Sequence, residues 1–173
     1  VRARLAELAM EGASFAIELA EREPGAAGAD AAEFLIAPNA GIAPAPLRDS
    51  ASGGELSRVM LALLGASAAG GEATLVFDEV DAGFGGQTAR AVGEQLRALA
   101  ATRQVLCITH LPQVASLAAR HFAVAKDGAT APARATVTRL HDAEVVSELV
   151  RMLGADDVDH AARRHAEELL RAA

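Results

Sequence analysis

Cysteine, lysine and aromatic residues are scarce in this chain of 173 residues, and each shortage excludes a class of function. The single cysteine, Cys107, excludes an intramolecular disulfide and any multi-cysteine metal site. Because it lies in the apolar run Val105–Ile108, we expect a buried structural thiol. Tryptophan and tyrosine are absent and aromatic residues make up only 3% of the chain, so platforms for stacking single-stranded nucleic acid are nearly absent.

Positive charge is also in short supply. Sixteen Lys and Arg residues against 23 Asp and Glu residues give a net charge of −7, which argues against a broad nucleic-acid-binding face. No run approaches the roughly 20 apolar residues of a membrane span, and no basic-then-apolar leader opens the chain. We therefore expect a cytoplasmic protein with no membrane partner. The length fits one domain over residues 1–173, and the missing initiator methionine suggests a start inside a longer protein.

A phosphate-cradling loop is lacking as well. Such a loop reads GxxxxGK[ST], and its lysine is indispensable to the pattern. The only lysine here, Lys126, has no glycines at the matching upstream positions. This sequence therefore shows no loop of the kind that cradles the phosphates of a nucleotide.

The pattern of apolar residues predicts an α/β fold with a parallel core and antiparallel additions. Residues 74–77 and 104–109 are short apolar runs, as expected for strands covered on both faces. A helix over 87–101 connects them into a βαβ unit with parallel strands, its inward face formed by Val92, Leu96 and Leu99.

The remaining elements are shorter or less regular. A helix begins at Ser52 and ends within 65–71, and its predicted apolar stripe consists of Leu56, Val59, Met60, Leu63 and Leu64. Before it we expect a helix over 1–9, strands over 13–19 and 33–37, and irregular chain over 23–30 and 38–50. After the βαβ unit we expect a helix over 111–120 opened by Pro112, an edge hairpin of 121–126 and 136–140, and closing helices over 145–153 and 158–170.

Two carboxylates, Asp78 and Glu79, end the first of the two parallel strands. In open parallel sheets ligands bind beyond the carboxyl ends of the strands. There Asp78 can hold Mg²⁺, which takes one or two carboxylates together with phosphates, and Glu79 can accept a proton from an attacking water. The plainer alternative is a solvated turn, because acidic residues are common where a loop begins.

The run Ser52-Gly53-Gly54-Glu55 opens the predicted helix that follows the irregular chain. Ser-x-x-Glu is a capping box, which by itself accounts for Ser52 and Glu55. It does not account for two consecutive glycines, each of which costs backbone entropy. Glycines at a helix start let a phosphate approach the bare N–H groups at the positive end of the helix dipole, so we favour anion binding over capping alone.

His110 follows the strand 104–109, so the crossover predicts it at the same sheet edge as Asp78 and Glu79. An imidazole there can donate a hydrogen bond to a terminal phosphate, although a lone histidine after a strand is often structural. The remaining histidines (His121, His141, His160 and His165) lack metal-ligand spacing, and we expect them at the surface. The glycine-rich loop 81–86 next to Glu79 is a candidate for contact across a dimer.

These residues together resemble a known superfamily. Ala51-Ser52-Gly53-Gly54-Glu55-Leu56-Ser57-Arg58 is similar to the signature motif of ABC-type ATPases in the form that SMC-like proteins use. The run 75–79 resembles their Walker B strand, and the run 108–110 resembles their switch histidine. Within the superfamily, the runs 33–39, 77–83 and 107–115 are similar to the RecN family, bacterial SMC-like proteins of DNA double-strand-break repair.

The resemblance implies a role for each motif residue in binding and hydrolysing ATP. Asp78 would hold Mg²⁺, Glu79 would polarise the hydrolytic water, and His110 would sense the γ-phosphate. The signature residues would close in trans on the γ-phosphate held by a second head; these are Ser52, Gly53, Gly54 and Glu55. One departure is Gly85, because many SMC-like proteins carry an aspartate at that point of the loop after Walker B.

The resemblance also implies an architecture: a P-loop NTPase head of the ABC/SMC type whose two halves flank a long coiled coil. This chain would be the C-terminal half, without Walker A, and residues 1–9 would end the returning coiled-coil helix. Its partners would be the N-terminal half of its own head, a second head in a homodimer, and DNA through the full-length protein near the nucleoid. The fragment alone would be inactive. Two alternatives remain: a non-catalytic dimerisation or docking lobe of an ABC-type ATPase, and a transporter's nucleotide-binding subunit, which we rank low.

Overall fold

A computed structural model describes the chain except for residues 27, 51–52, 68–72, 79, 82–85 and 128–133. The chain divides into two compact units. The first contains residues 1–84 and 98–108, and the second contains residues 85–97 and 109–173. None of the helices in the described ranges is both long enough and apolar enough to cross a membrane.

The first unit opens with helix α1 (Arg2–Glu7) and a long antiparallel hairpin of β1 (Ser14–Gly25) and β2 (Gly28–Ala37). The prediction of irregular chain over 23–30 is wrong, because β1 extends to Gly25 and β2 begins at Gly28. Gly28 adopts a positive φ of 91° there, a conformation that glycine reaches without steric cost.

One end of the hairpin is buried and the other is exposed. Phe15 pairs with Ile36, and the rings of Phe15 and Phe34 stack with their centroids 5.8 Å apart. On the same face, nearer the turn, Ile17 and Leu19 are exposed. The hairpin therefore contributes to the core only through its end remote from the turn.

Short elements follow the hairpin. The two-residue strand β3 (Ala45–Pro46) pairs antiparallel with β2, and the single-turn helix α2 (Leu47–Ser50) comes next. The predicted irregularity of 38–50 thus holds over 38–44 and is wrong over 45–50. Pro46 is compatible with its strand because β3 lies at the edge of the sheet.

Helix α3 (Gly53–Ala66) packs against α1, and its buried residues are Val59, Leu61 and Ala62. The predicted stripe is therefore partly wrong. Val59 is buried, but Leu56 and Met60 are 38% and 42% exposed, and Leu61 is buried in their place. The helix is apolar on more than one face, so its periodicity alone cannot select the face that meets α1, where Leu5 and Leu8 are fully buried.

The strands β4 (Leu75–Asp78) and β5 (Val105–Ile108) form a parallel pair, connected by helix α4 (Gly86–Ala100). The predicted βαβ unit is confirmed, and Val92, Leu96 and Leu99 of α4 are buried as expected. The prediction that both strand faces are covered is wrong. Leu75 and Phe77 face the interior, whereas Val76, Leu106 and Ile108 are 63%, 48% and 61% exposed.

In the second unit the predicted helix 111–120 is reduced to the single turn α5 (Pro112–Ala115). The N–H groups of Leu117 and Ala118 donate to the carbonyls of Val114 and Ala115, three residues back. This tighter spacing ends the α-helix after one turn. Pro112 opens the helix as predicted.

The end of the second unit matches the sequence pattern closely. The strands β6 (His121–Asp127) and β7 (Arg134–Leu140) form the expected antiparallel hairpin, whose tip lies outside the described residues. The helices α6 (Ala143–Met152) and α7 (His160–Arg171) pack through a small core formed by Val145, Leu149, Val150 and Ala166. Asp159 caps α7, since its Oδ1 accepts hydrogen bonds from the backbone N–H groups of Ala161 and Ala162.

Candidate functional site

Asp78 is the last residue of β4 and its side chain is exposed. In the parallel register it lies beside Ile108, the last residue of β5. The carboxyl ends of both strands therefore meet at one edge, as the sequence predicts, and Asp78 points to the solvent-exposed face of the pair.

Cys107, in β5, lies on the less exposed face of the same strand pair. Burial first, and then the negative charges of Asp81 and Asp78, together raise the pKa of its thiol from 9.0 to about 12. The expected burial of the thiol is only partly realised, since the residue is half-buried. Asp81 itself is fully buried. Negative charge is thus concentrated where β4 ends.

A divalent cation fits such an edge. Within the described ranges no group of three or more His, Cys, Asp or Glu residues is arranged to hold a metal ion. A single exposed carboxylate nevertheless suits Mg²⁺, which keeps several waters and takes its remaining ligands from phosphates. Asp78 has the exposure and position for that role.

The two glycines of the signature-like run lie in the first turn of α3, which begins at Gly53. Apart from its chain neighbours and the adjacent backbone of its own helix, no described atom lies within 4 Å of the position where a Cβ of Gly53 would be, and its φ is not positive. Neither crowding by the described residues nor a positive φ therefore explains this glycine. A ligand that approaches the backbone closely would explain it.

A residue that the sequence analysis did not single out, Arg58, contacts this turn. Its Nε donates to the carbonyl of Gly54 at 3.2 Å, and its Nη1 donates to the carbonyl of Leu8 at 3.4 Å. Burial lowers the pKa of Arg58, and the negative charge of Glu55 raises it. Arg58 is part of the quoted motif, but no sequence signal reveals an acceptor 50 positions away.

His110 lies in the second unit, two residues after β5, and is exposed. The turn that carries it is held by Thr109, whose Oγ1 accepts a hydrogen bond from the N–H of Leu111 at 3.0 Å. Among the other histidines, His121 is half-buried, and its Nε2 donates to the carbonyl of Ala115 at 2.8 Å. The expectation of a surface position is therefore only partly met for His121.

The candidate residues divide into three groups. Asp78, Gly53, Gly54 and Glu55 belong to the first unit, and His110 belongs to the second. Ser52 and Glu79 lie outside the described residues, as does the glycine-rich loop 82–85 with Gly85. The described part of the site is thus a strand end with an exposed carboxylate and a helix start with two glycines.

Curated relatives give the family context. The chain is 45% identical over 156 residues to the DNA repair protein RecN of Treponema pallidum, which covers 90% of this chain and 27% of that protein. It is 46% identical over 179 residues to RecN of Mycobacterium tuberculosis, with coverage of 96% and 29%. For RecN of Streptomyces coelicolor the identity is 44% over 187 residues, with coverage of 100% and 33%. The chain thus spans about a third of these relatives or less, and no protein-family model matches it.

Solved structures support the same fold. The Smc head domain of Pyrococcus yayanosii, with a coiled coil and joint, has a TM-score of 0.60 at 20% identity and covers 96% of this chain and 28% of that one. A chain from work on ATP-driven dimerisation of SMC ATPases has a TM-score of 0.51 at 18% identity, with 88% of both chains covered. At these identities the likeness shows the fold alone, and it confirms the predicted SMC-head type of α/β fold.

The matches agree with the motifs from which the resemblance was first inferred. Identities of 44–46% extend over 90–100% of the chain, so they include the described parts of the strand end and the helix start. By sequence, the chain aligns with the C-terminal part of RecN proteins, and its fold is that of an SMC-type head.

Proposed function

We propose that this chain is the C-terminal half of an ATP-hydrolysing head in an SMC-like protein of DNA double-strand-break repair and recombination. The observation that carries the proposal is the exposed carboxylate of Asp78 at the carboxyl end of a parallel strand, in a chain similar to the DNA repair protein RecN. Residues 1–9 would end a coiled-coil helix, and the protein would act in the cytoplasm at the nucleoid.

Asp78 would hold Mg²⁺, which when bound neutralises charge on the phosphates during phosphoryl transfer. Glu79 would orient and deprotonate the attacking water, and His110 would donate a hydrogen bond to the γ-phosphate. Across a head-to-head dimer, Ser52, Gly53, Gly54 and Glu55 would present the bare N–H groups of α3 to the γ-phosphate of the opposite head. The open space around Gly53 supports this assignment.

The exposed face of β4 and β5 supports the idea of a half-head. Parallel strands are normally covered on both faces, yet Val76, Leu106 and Ile108 are exposed on one face of this pair. The N-terminal half of the head, which would bring Walker A, would be expected to cover apolar surface of this kind. Gly85 stands where many SMC-like proteins carry an aspartate, so this loop would lack the aspartate's contact across the dimer.

The test is ATP hydrolysis after this chain is mixed with a separately expressed phosphate-loop half. We expect no turnover from the chain alone, turnover on mixing, and loss of that turnover in Glu79→Gln, because the carboxylate is needed to activate water. An exposed-residue change such as Glu168→Gln serves as the matched control.

Two outcomes would contradict the proposal. Glu79-dependent turnover by the pure chain would refute the half-site, since the chain would then hold nucleotide unaided. No turnover from two folded and associated halves would instead favour the non-catalytic docking lobe.

A further inference from the structure

The first turn of α3 is connected to the end of α1 through one side chain, Arg58. Its guanidinium donates to the Gly54 carbonyl within that turn and to the Leu8 carbonyl, which follows α1. Leu8 is fully buried, and its carbonyl belongs to the last turn of a helix, where backbone acceptors lack intrahelical donors. Arg58 thus satisfies an acceptor of one helix while it contacts the start of another.

Because Arg58 is partly buried, its guanidinium needs hydrogen-bond acceptors within the protein. Desolvation lowers the pKa of Arg58, although the negative charge of Glu55 acts in the opposite direction. A guanidinium keeps its charge in proteins, so a partly buried one needs acceptors that match its planar fork. Both carbonyls meet that need, so this contact links the end of α1 to the first turn of α3.

A second arginine lies between the same two helices, farther along α3. The guanidinium of Arg4 on α1 lies over Gly65 near the end of α3, and a Cβ at Gly65 would be 2.8 Å from its Nη1. Leu8 near the start of α3 and Arg4 near its end show that the two helices run antiparallel. Movement of α1 along α3 would therefore disturb both arginines.

We propose that Arg58 is a positioning residue for the phosphate-facing turn of α3, a role that rests on the function proposed above. The Gly54 carbonyl and the N–H of Glu55 belong to one planar peptide, so a bond that holds the oxygen also sets the direction of the N–H. That N–H is one of the four at the helix start that lack an intrahelical acceptor. Through Leu8, the position of α1 determines how this donor is aimed.

The experiment uses the reconstituted pair of this chain and the phosphate-loop half, with Arg58→Ala, Arg58→Lys and the control Arg48→Ala. Arg48 is an exposed arginine whose ion pairs with Glu33 and Asp49 lie at the surface, where such pairs contribute little. The readouts are kcat, KM for ATP, ATP-driven head association, thermal unfolding, and hydrogen exchange at the first turn of α3.

For Arg58→Ala we expect kcat and ATP-driven association to fall about tenfold with KM changed less than about twofold, because the phosphate-loop half binds the nucleotide and only the trans contact is misaligned. Exchange should rise at residues 54–56 and not in the β1–β2 hairpin. Arg58→Lys should be intermediate, since a single ammonium cannot reproduce a fork that spans two carbonyls. Arg48→Ala should match the wild type.

Three results would overturn this inference. Unchanged kcat and association in Arg58→Ala would show that the contact is dispensable, and full activity of Arg58→Lys would show that charge suffices. Loss of activity only in step with a general loss of thermal stability and protection would show a merely structural role. A wild-type pair without turnover would instead refute the proposed function, a failure that the control and wild-type samples reveal separately.

Discussion

At the scale of single residues, the charge at the end of β4 sets the chemistry of its neighbours. Cys107 lies on the less exposed face of the strand pair, beside Phe77. Its pKa of about 12 results first from burial and then from the carboxylates of Asp81 and Asp78. Because the thiolate is the reactive form of cysteine, this strand end offers carboxylate chemistry rather than thiol chemistry.

The reactivity of Cys107 tests this electrostatic picture. At pH 8 we expect a disulfide reagent to modify the folded chain roughly 10³-fold more slowly than the chain unfolded in guanidinium, since a pKa about three units higher lowers the thiolate fraction by that factor. The folded state holds this proton more tightly, so stability should fall as pH rises from 9.0 toward 12. Cys107→Ala should remove that part of the pH dependence.

Equal modification rates in folded and unfolded chain would contradict the prediction. A rate that is slow in the folded state at every pH up to 12 would point to steric protection rather than to a raised pKa. The absorbance of the thiol that the reagent releases measures the modification rate in the folded and unfolded states.

Residue roles differ in how far the sequence reveals them. The position of Asp78 at the end of a strand could be predicted because it follows directly after three apolar residues. Arg58 and His121 could not, because each finds its acceptor through the fold, at Leu8 and Ala115 respectively. Ser52 and Glu79 remain predictions from the motif, and so do the functional roles of the other candidate residues.

At the scale of elements, two helical glycines have opposite surroundings. A Cβ on Gly93, inside α4, would lie 2.5 Å from Leu117 Cδ1 and 3.3 Å from the backbone Cα of Val114. The three atoms nearest to a Cβ on Gly65, inside α3, would all belong to the outer part of the Arg4 side chain. Backbone cannot give way cheaply, whereas the tip of an arginine side chain can.

We therefore expect Gly93→Ala to destabilise the chain by about 1–3 kcal/mol through overpacking, in spite of alanine's higher helix propensity. Gly65→Ala should change stability by no more than about 1 kcal/mol, because the propensity gain offsets the displacement of Arg4. Urea unfolding followed by circular dichroism measures both. Equal effects of the two substitutions would show that the contact with the α5 turn does not limit the packing of α4.

Elements with strong hydrophobic periodicity, or with glycine or proline at their ends, could be predicted from the sequence. These include α4, the β6–β7 hairpin, and the two closing helices separated at Gly154, whose φ is 76°. The predicted β1–β2 hairpin is too short because glycines and a proline in 23–30 resemble a loop, although the strands pair as far as Gly25 and Gly28. The predicted length of α5 is too great because the helix ends at a change in hydrogen-bond spacing, which residue types do not encode.

At the scale of the whole molecule, one face of the β4–β5 pair is exposed because no layer of this chain covers it in the described structure. The apolar runs of β4 and β5 predict strands, and the strands exist. The sequence cannot state which layer covers each face, so the exposure of Val76, Leu106 and Ile108 appears only in the structure. An exposed apolar group of this kind is a usual sign of a binding surface, which agrees with the proposed N-terminal half of the head.

The net charge of the whole chain determines how tightly it should bind DNA. Affinity for duplex DNA comes largely from lysine and arginine contacts to phosphates, and each contact steepens the salt dependence. With 16 basic against 23 acidic residues and a net charge of −7, the chain should bind duplex DNA no more tightly than roughly 10⁻⁴ M at physiological salt, the weak end of non-specific binding.

A gel-shift series over salt concentration, with the reconstituted pair as comparison, measures this. Shifts that appear only with the pair would assign DNA contact to surfaces outside this chain, which is the result we expect. Micromolar binding by the chain alone with a steep salt slope would contradict the prediction, because several phosphates would then have to meet a local basic patch that outweighs the overall negative charge. Neutralising exposed arginines one at a time would then locate that patch, and each true phosphate contact should reduce the salt slope by about one.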